Sequence, residues 1–458
     1  MNMKRTIILL LIPLTAAFAF GQSYTNQRTL PETQLTLQEC QKKTQDNYPL
    51  VRQYDLIEKS KDYNMTNASK GYLPQFSLSG KATYQSAVTK LPVHLPNITI
   101  KEMPKDQYQM LLEVKQNIWD GGEIHSQKEL LKATASVDRE KLNVDMYALI
   151  DRVNQLYFGI LLLDRQLTQN QLLQDDLGRT YQKIAAYLEN GLANQADLDA
   201  VSVEQLNTRQ QRVQLESSRI AYLNMLSLFL GEKIAPEVVL EQPLTDTSGK
   251  LDSGTNDGSF ISNYLSEPNK WKESLSPAMN DRPELAWYDA QSKRLKVQEQ
   301  ALNTRLMPHL GLFVQGAYGN PGLNMLKNEF TPYYVAGMHL SWNFGSLYTI
   351  HNDRRLIDNN RRQLETNRDV FLFNTSLQST QQDETIRAMR KQMVDDDEII
   401  RLRSNIRRAA EAKVANGTMT VTDMLREITS ESIAKQTKAM HEVQLLMDIW
   451  QLKYTLSK

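Results

Sequence analysis

The sequence predicts a mainly α-helical protein with a small β part, built from duplicated long antiparallel helical hairpins and two β-hairpins per chain. Three observations predict it. The first is an internal duplication. Pro49 and Pro74 stand 25 residues apart, Pro283 and Pro308 repeat that spacing 234 residues on, and Tyr84 and Tyr318 each follow ten residues beyond. Further along, Asn190-Gly191-Leu192 leads to Asp197-Leu198, and Asn416-Gly417-Thr418 leads to Asp423-Met424, at an offset of 226. A duplication this long makes each copy one structural unit that packs on the other. The second is a heptad seam: Leu142, Met146, Leu149, Val153, Leu156, Ile160, Leu163 and Leu167 step by four and three without a miss, as in coiled-coil packing. The third is strict two-residue alternation in four short segments, the mark of strands.

The elements follow in chain order. Lys4 and Arg5 precede an apolar run, Thr6 to Phe20, that is shorter than the ~20 residues a spanning helix needs. Small residues then offer cleavage after Ala19 or Gly21, so residues 1–21 read as a secretory signal peptide. A helical segment is expected from Thr36 to Lys70, with Leu37, Cys40 and Leu50 on its apolar side. A strand pair follows. In Phe76 to Tyr84 the even positions are apolar or small, and in the partner Tyr108, Met110, Leu112, Val114 and Ile118 share one face. A long helix runs from Gly122 to Asn190, roughly 100 Å at ~1.5 Å per residue. After the Asn190-Gly191 break a return helix restarts near Asp197 and ends at Leu230-Gly231. Gly after Asn suits a left-handed helix end, and the following Asp suits a helix start. The first repeat is thus 22–231. Residues 232–281, rich in Ser, Gly, Asn, Asp and Pro, form a linker with a short helix expected around Trp271. The second repeat, 282–458, runs through a helix from Arg282 to Arg305, strands at Leu310 to Tyr318 and Tyr334 to Trp342, an outbound helix, and a return helix past Asn416-Gly417. The outbound helix is poor in apolar residues from Thr375 to Gln392, which predicts a wet face there.

Composition narrows the function classes. Lys plus Arg equals Asp plus Glu at 53 each, so no net charge points to nucleic acid. The single cysteine, Cys40, excludes an intramolecular disulfide and any multi-cysteine metal site. Beyond the signal no apolar stretch reaches 18 residues, so entry into a membrane requires strands of a closed barrel. Two hairpins cannot close one, since the smallest bacterial outer-membrane barrels have about eight strands. If these strands span a membrane, and are not half-buried strands of a soluble sheet, several chains must contribute. No enzyme signature stands out: the six histidines form no ligand-spaced pair, and no G-x-S-x-G, H-E-x-x-H or phosphate-loop motif occurs. No catalytic residue, metal or cofactor is expected. Asp395-Asp396-Asp397-Glu398 reads as a solvated helix face. Arg354-Arg355 and Arg407-Arg408 are short basic stretches without interleaved aromatics.

The ordered motifs are similar to those of the TolC family of outer-membrane efflux and export channels. They are Leu35-Thr36-Leu37-Gln38-Glu39, Asn47-Tyr48-Pro49, Leu73-Pro74, Ile118-Trp119-Asp120-Gly121-Gly122, Arg282-Pro283-Glu284-Leu285, Met307-Pro308 and the two Gly-x5-Asp elements. The resemblance implies a homotrimer whose three chains share one 12-strand transmembrane β-barrel and a long periplasmic tunnel of helices, an α-barrel. It implies a passive exit duct in the outer membrane, joined through a periplasmic adaptor to an inner-membrane transporter. Gly191, Leu192, Gly417 and Thr418 match the family's adaptor-contact tips. Asp197 and Asp423 match acidic positions at the constricted tunnel end, where three copies of Asp423 would form a cation-attracting ring. Where a second lumen Asp would follow, this chain has Arg426, at helical i,i+3 spacing from Asp423. Tyr and Arg partners that lock the tip in some members are replaced by Val414, Ala196 and Met419, which leaves the mode of closure open. Small-molecule efflux and type I protein secretion are not separable at this level. A periplasmic coiled-coil adaptor or rod is the alternative of a different class.

Overall fold

The computed structural model describes residues 34–88, 104–243, 281–324 and 327–457. The signal segment 1–21 and the short helix expected around Trp271 lie outside the described residues. Helix α1, Leu37–Asn47, starts on a capping box in which the Thr36 hydroxyl and Glu39 carboxylate exchange backbone hydrogen bonds, each 3.2 Å. The sequence predicts one helical segment through Lys70, but the structure breaks it at Tyr48-Pro49. Tyr48 is extended at φ −64°, ψ 137°, the conformation a following proline demands. A short 3-10 turn then leads into α2, Arg52–Ser69.

Strands β1, Gln75–Tyr84, and β2, Asp106–Trp119, precede α3, Glu123–Glu189, and α4, Gln195–Leu230. After the linker come α5, Pro283–Leu302, β3, His309–Asn320, β4, Thr331–Ser341, α6, Ser346–Ala415, and α7, Val421–Leu456. The 67 residues of α3 and 70 of α6 make helices of roughly 100 Å. At the strand-to-α3 turn Gly121 has φ 63°, and a Cβ on it would lie 2.5 Å from Met307 Cβ. Only glycine fits that approach.

The four strands form one antiparallel sheet in the order β1-β2-β3-β4. Its register pairs Leu78 with Leu112, Leu112 with Gly316, and Gly316 with Tyr334, so the even-numbered residues of all four strands share one face. Both outer strands, β1 and β4, have an unpaired edge among the described residues.

The helices form a single layer. Nearer the sheet the order is α2–α3–α5–α6, and farther away it is α4–α3–α7–α6. Helix α1 and residues 234–240 strap the middle of this layer. Leu35 bridges to Leu240, and the Tyr157 hydroxyl donates to the carbonyls of Leu35 (2.7 Å) and Glu241 (2.5 Å). Val153, Tyr157, Phe158, Ile160, Leu223, Leu226 and Leu446 form the core beneath the strap. The heptad pattern marks Val153 and Ile160. It passes over Tyr157 and Phe158, which are buried because α1 and the strap cover a second face of α3.

Two sequence expectations are corrected. Within the face expected to be wet, Thr375, Ser376 and Ile386 are buried, Ile386 against Ile449 and Leu452 of α7. The acidic run is not uniformly solvated. Asp395, Asp397 and Glu398 are exposed, but Asp396 turns into the α6–α7 seam, where its carboxylate lies 2.6 Å from His441 Nδ1.

Candidate functional site

The end of the layer remote from the sheet is made of two matching turns. In the first, Gly191 N donates to Leu188 O (3.0 Å) and Leu192 N to Tyr187 O (2.8 Å). In the second, Gly417 N donates to Val414 O (3.0 Å) and Thr418 N to Lys413 O (2.9 Å). Both are Schellman ends, and both need a left-handed residue after the helix. Gly191 and Gly417 supply it, at φ 71° and 66°. Gly191, Leu192, Gly417 and Thr418 are all exposed, Leu192 at 72% despite its apolar side chain.

Each return helix begins on a cap. Asn194 Oδ1 accepts from Asp197 N (2.9 Å), and Asp197 Oδ2 accepts from Asn194 N (3.1 Å). Thr420 Oγ1 accepts from Asp423 N (3.1 Å) and donates to Asp423 Oδ2 (2.7 Å). The other Asp423 oxygen lies 3.6 Å from the exposed Arg426 guanidinium. Thr420 is therefore the cap, and Asp423 is the third residue of the helix, with a loose cationic neighbour. Leu177, Ile184, Val201, Ala410, Val421, Met424, Leu425 and Ile428 form one core between the two tips. Val414 and Met419 pack against it, whereas Ala196 is exposed.

Farther up lies a charged cluster that the sequence did not announce. Arg407 of α6 reaches Asp176 of α3 (2.8 Å), Glu431 of α7 (3.0 Å) and Glu411 of its own helix (2.8 Å), while Lys435 holds the second Glu431 oxygen at 2.9 Å. Burial opposes the charge on Asp176 and Glu431. The cations outweigh it and hold both carboxyls below their ordinary range. In sequence Arg407 is one of a plain basic pair, and its partners Asp176 and Glu431 lie on other helices, so no local pattern could reveal the links between helices. A second junction sits near the start of α5. There Arg282 pairs with Glu284, donates to Thr455 O (2.9 Å), and lies 5.3–5.6 Å from the ring centres of Tyr147, Phe371 and Tyr454.

The sheet end has inverted polarity. On the even face Phe76, Tyr334 and Met338 are 72%, 79% and 73% exposed. On the odd face Gln109 donates to the Tyr333 hydroxyl (2.5 Å) and Gln315 to Glu113 (2.6 Å). A soluble sheet does the reverse, burying its apolar side. Aromatic groups stand at both ends of the exposed face: Tyr108, Tyr318 and Phe330 at one, Trp342 and Phe344 at the other. Strands of 10 to 14 residues with that arrangement have the length and girdles of membrane-barrel strands. Among the described residues no helix is long and apolar enough to cross a membrane.

Comparison with known proteins agrees with this geometry. Residues 41–232 match the family described as outer membrane efflux protein. No curated protein matches the sequence. Solved structures with the same fold include the outer-membrane channel OprN (TM-score 0.64, 12% identity, 92% of this chain and 89% of that one). CusC aligns with TM-score 0.64 at 14% identity over 92% and 91%. The outer-membrane protein VceC from Vibrio cholerae aligns with TM-score 0.62 at 10% identity over 92% and 95%. Residues 41–232 thus match the outer membrane efflux protein family, and the described chain shares its fold with solved outer-membrane channels.

Proposed function

We propose that three copies of this chain form the outer-membrane exit duct of a tripartite efflux system, through which small molecules pass passively from periplasm to outside. The observation that carries the reading is the inverted sheet. It exposes apolar side chains on one face, keeps polar groups on the other, and among the described residues ends in two unpaired edges, above a helical layer of roughly 100 Å. In lipid every backbone group needs a partner, so β1 and β4 require neighbouring copies. Three copies give a 12-strand barrel, and the helical layer continues it as a tunnel.

The remaining roles belong to the same proposal. The repeats 22–231 and 282–458, joined by the linker 232–281, each supply one hairpin to the barrel and one helical hairpin to the tunnel. Gly191, Leu192, Gly417 and Thr418 contact the hairpin of a periplasmic adaptor, which connects the duct to an inner-membrane transporter. Their exposure and the apolar Leu192 tip favour that role. Asp197, Asp423 and Arg426 line the narrow end, where the Asp423 carboxylates attract cations.

The test is fractionation followed by single-channel recording. The chain should sediment with the outer membrane and conduct in planar bilayers. Asp423→Asn should reduce cation over anion selectivity. A soluble periplasmic monomer would overturn the duct, and unchanged selectivity in Asp423→Asn would overturn the ring while leaving the duct intact.

A further inference from the structure

A cavity of about 260 Å³ opens between α6 and α7, lined by Gln378, Gln381, Gln382, Thr385, Asp448 and Gln451. Asp448 is its sole ionisable lining residue, and only 8% of it is exposed. One carboxylate oxygen accepts from Gln444 Nε2 at 2.8 Å. The other, Oδ2, is buried without a hydrogen-bond partner among the described residues, as is Gln382 Oε1. Two residues that line one cavity therefore each carry a buried, unpartnered acceptor. An unpaired buried acceptor is costly and a charged one more so, and the arrangement calls for a positive ligand.

We propose that this cavity binds one small monovalent cation, held by Asp448 Oδ2, Gln382 Oε1 and the surrounding amide and hydroxyl oxygens. Charge selects the class. One carboxylate is neutralised by one positive charge, whereas a divalent ion would leave an excess charge in a partly dry seam. Ligand type agrees. Among the described residues no group of three His, Cys, Asp or Glu side chains is placed to hold a metal, and the oxygens available here are mostly neutral amide oxygens. Thr385 donates its hydroxyl proton to Gln381 O at 2.9 Å, which leaves its oxygen lone pairs free to face an ion. Ile386, Ile449 and Leu452 pack as an apolar cluster in the same seam. Burial raises the Asp448 carboxyl above its ordinary range, as expected of a carboxylate lacking its counter-charge. The bound ion would tie α6 to α7 through charge rather than through apolar packing.

The experiment is thermal unfolding of the full-length protein in detergent, at fixed pH and ionic strength. Potassium, sodium or ammonium chloride is exchanged against N-methylglucamine chloride, whose cation is too bulky to enter. The midpoint should rise with the logarithm of small-cation concentration. Asp448→Asn should abolish the rise. Gln382→Met, which keeps the charge, should shift it to higher concentration and serves if Asp448→Asn does not fold. Equal midpoints in all salts would overturn the proposal, as would a small-cation effect that survives in Asp448→Asn. A wild-type midpoint that follows pH but not cation identity would mean that a proton occupies the site, and would overturn it too.

Discussion

At the scale of single residues, the side chains that join the two helical hairpins are charged and buried together. Arg407 and Asp176 are under one-fifth exposed, and Glu431 is 4% exposed. Removing the shared cation leaves two carboxylates facing each other in a poorly hydrated seam. Arg407→Met should therefore cost about 2–3 kcal/mol, measured by denaturant or thermal unfolding. The pH dependence has a definite sign. Asp176 and Glu431 are held below their ordinary values of 3.8 and 4.5. Their contribution is fully present above those values and is lost as pH falls through the lower folded values. Acid should thus loosen the hairpins of the native chain, and Arg407→Met should lose that part of the acid sensitivity. A mutant with an unchanged acid profile would show that the cluster is not coupled to stability. These residues were illegible in the sequence for one reason: a contact between Asp176 and Arg407, 231 positions apart, leaves no local periodicity. Asp396 shows the same limit. Its neighbours in sequence are solvated, and only His441 on the facing helix explains its burial.

At the scale of elements, legibility followed periodicity. The strands were readable because every second residue is apolar, and the 67-residue α3 because its seam repeats in heptads. The apolar pattern runs on across Tyr48-Pro49, so the break there leaves no mark in the periodicity and is set by local backbone sterics. The alternation also fixes which strand face tolerates charge. Leu112 sits at the middle of β2 on the exposed apolar face, opposite Leu78 and Gly316, and Gln109 lies on the polar face beside Tyr333. A charged residue at mid-membrane on the lipid face costs about 2–4 kcal/mol, whereas the lumen face is wet. Leu112→Arg should therefore sharply reduce the amount of protein recovered in the outer membrane, and Gln109→Arg should leave it near wild type. Equal recovery of the two variants would mean that the even face is not lipid-facing.

At the scale of the whole molecule, the duplication states how copies should meet. In the helical layer α3 lies beside α7 within one chain. If the repeats are equivalent around a closed ring, α6 must lie beside α4 of the next copy, and each contact transfers by the offset of 226. The Tyr147–Tyr454 stack, with ring centres 4.6 Å apart, then maps to Phe373 and Leu228. Both are strongly exposed in the isolated chain, at 50% and 82%. Apolar side chains half exposed or more on opposite edges are what a head-to-tail interface requires. Within one chain α4 and α6 occupy opposite edges of the layer, so any bond between these positions must join two chains. The background is favourable, because the only native thiol, Cys40, is fully buried and burial pushes its pKa up to about 12. The double variant Leu228→Cys with Phe373→Cys, treated in membranes with a short thiol-reactive cross-linker, should give a ladder that stops at three chains. Each single variant should give none. A ladder that stops at two chains or continues past three would refute the three-copy ring, and absence of any ladder would refute the transfer from the α3–α7 contact to the α6–α4 one.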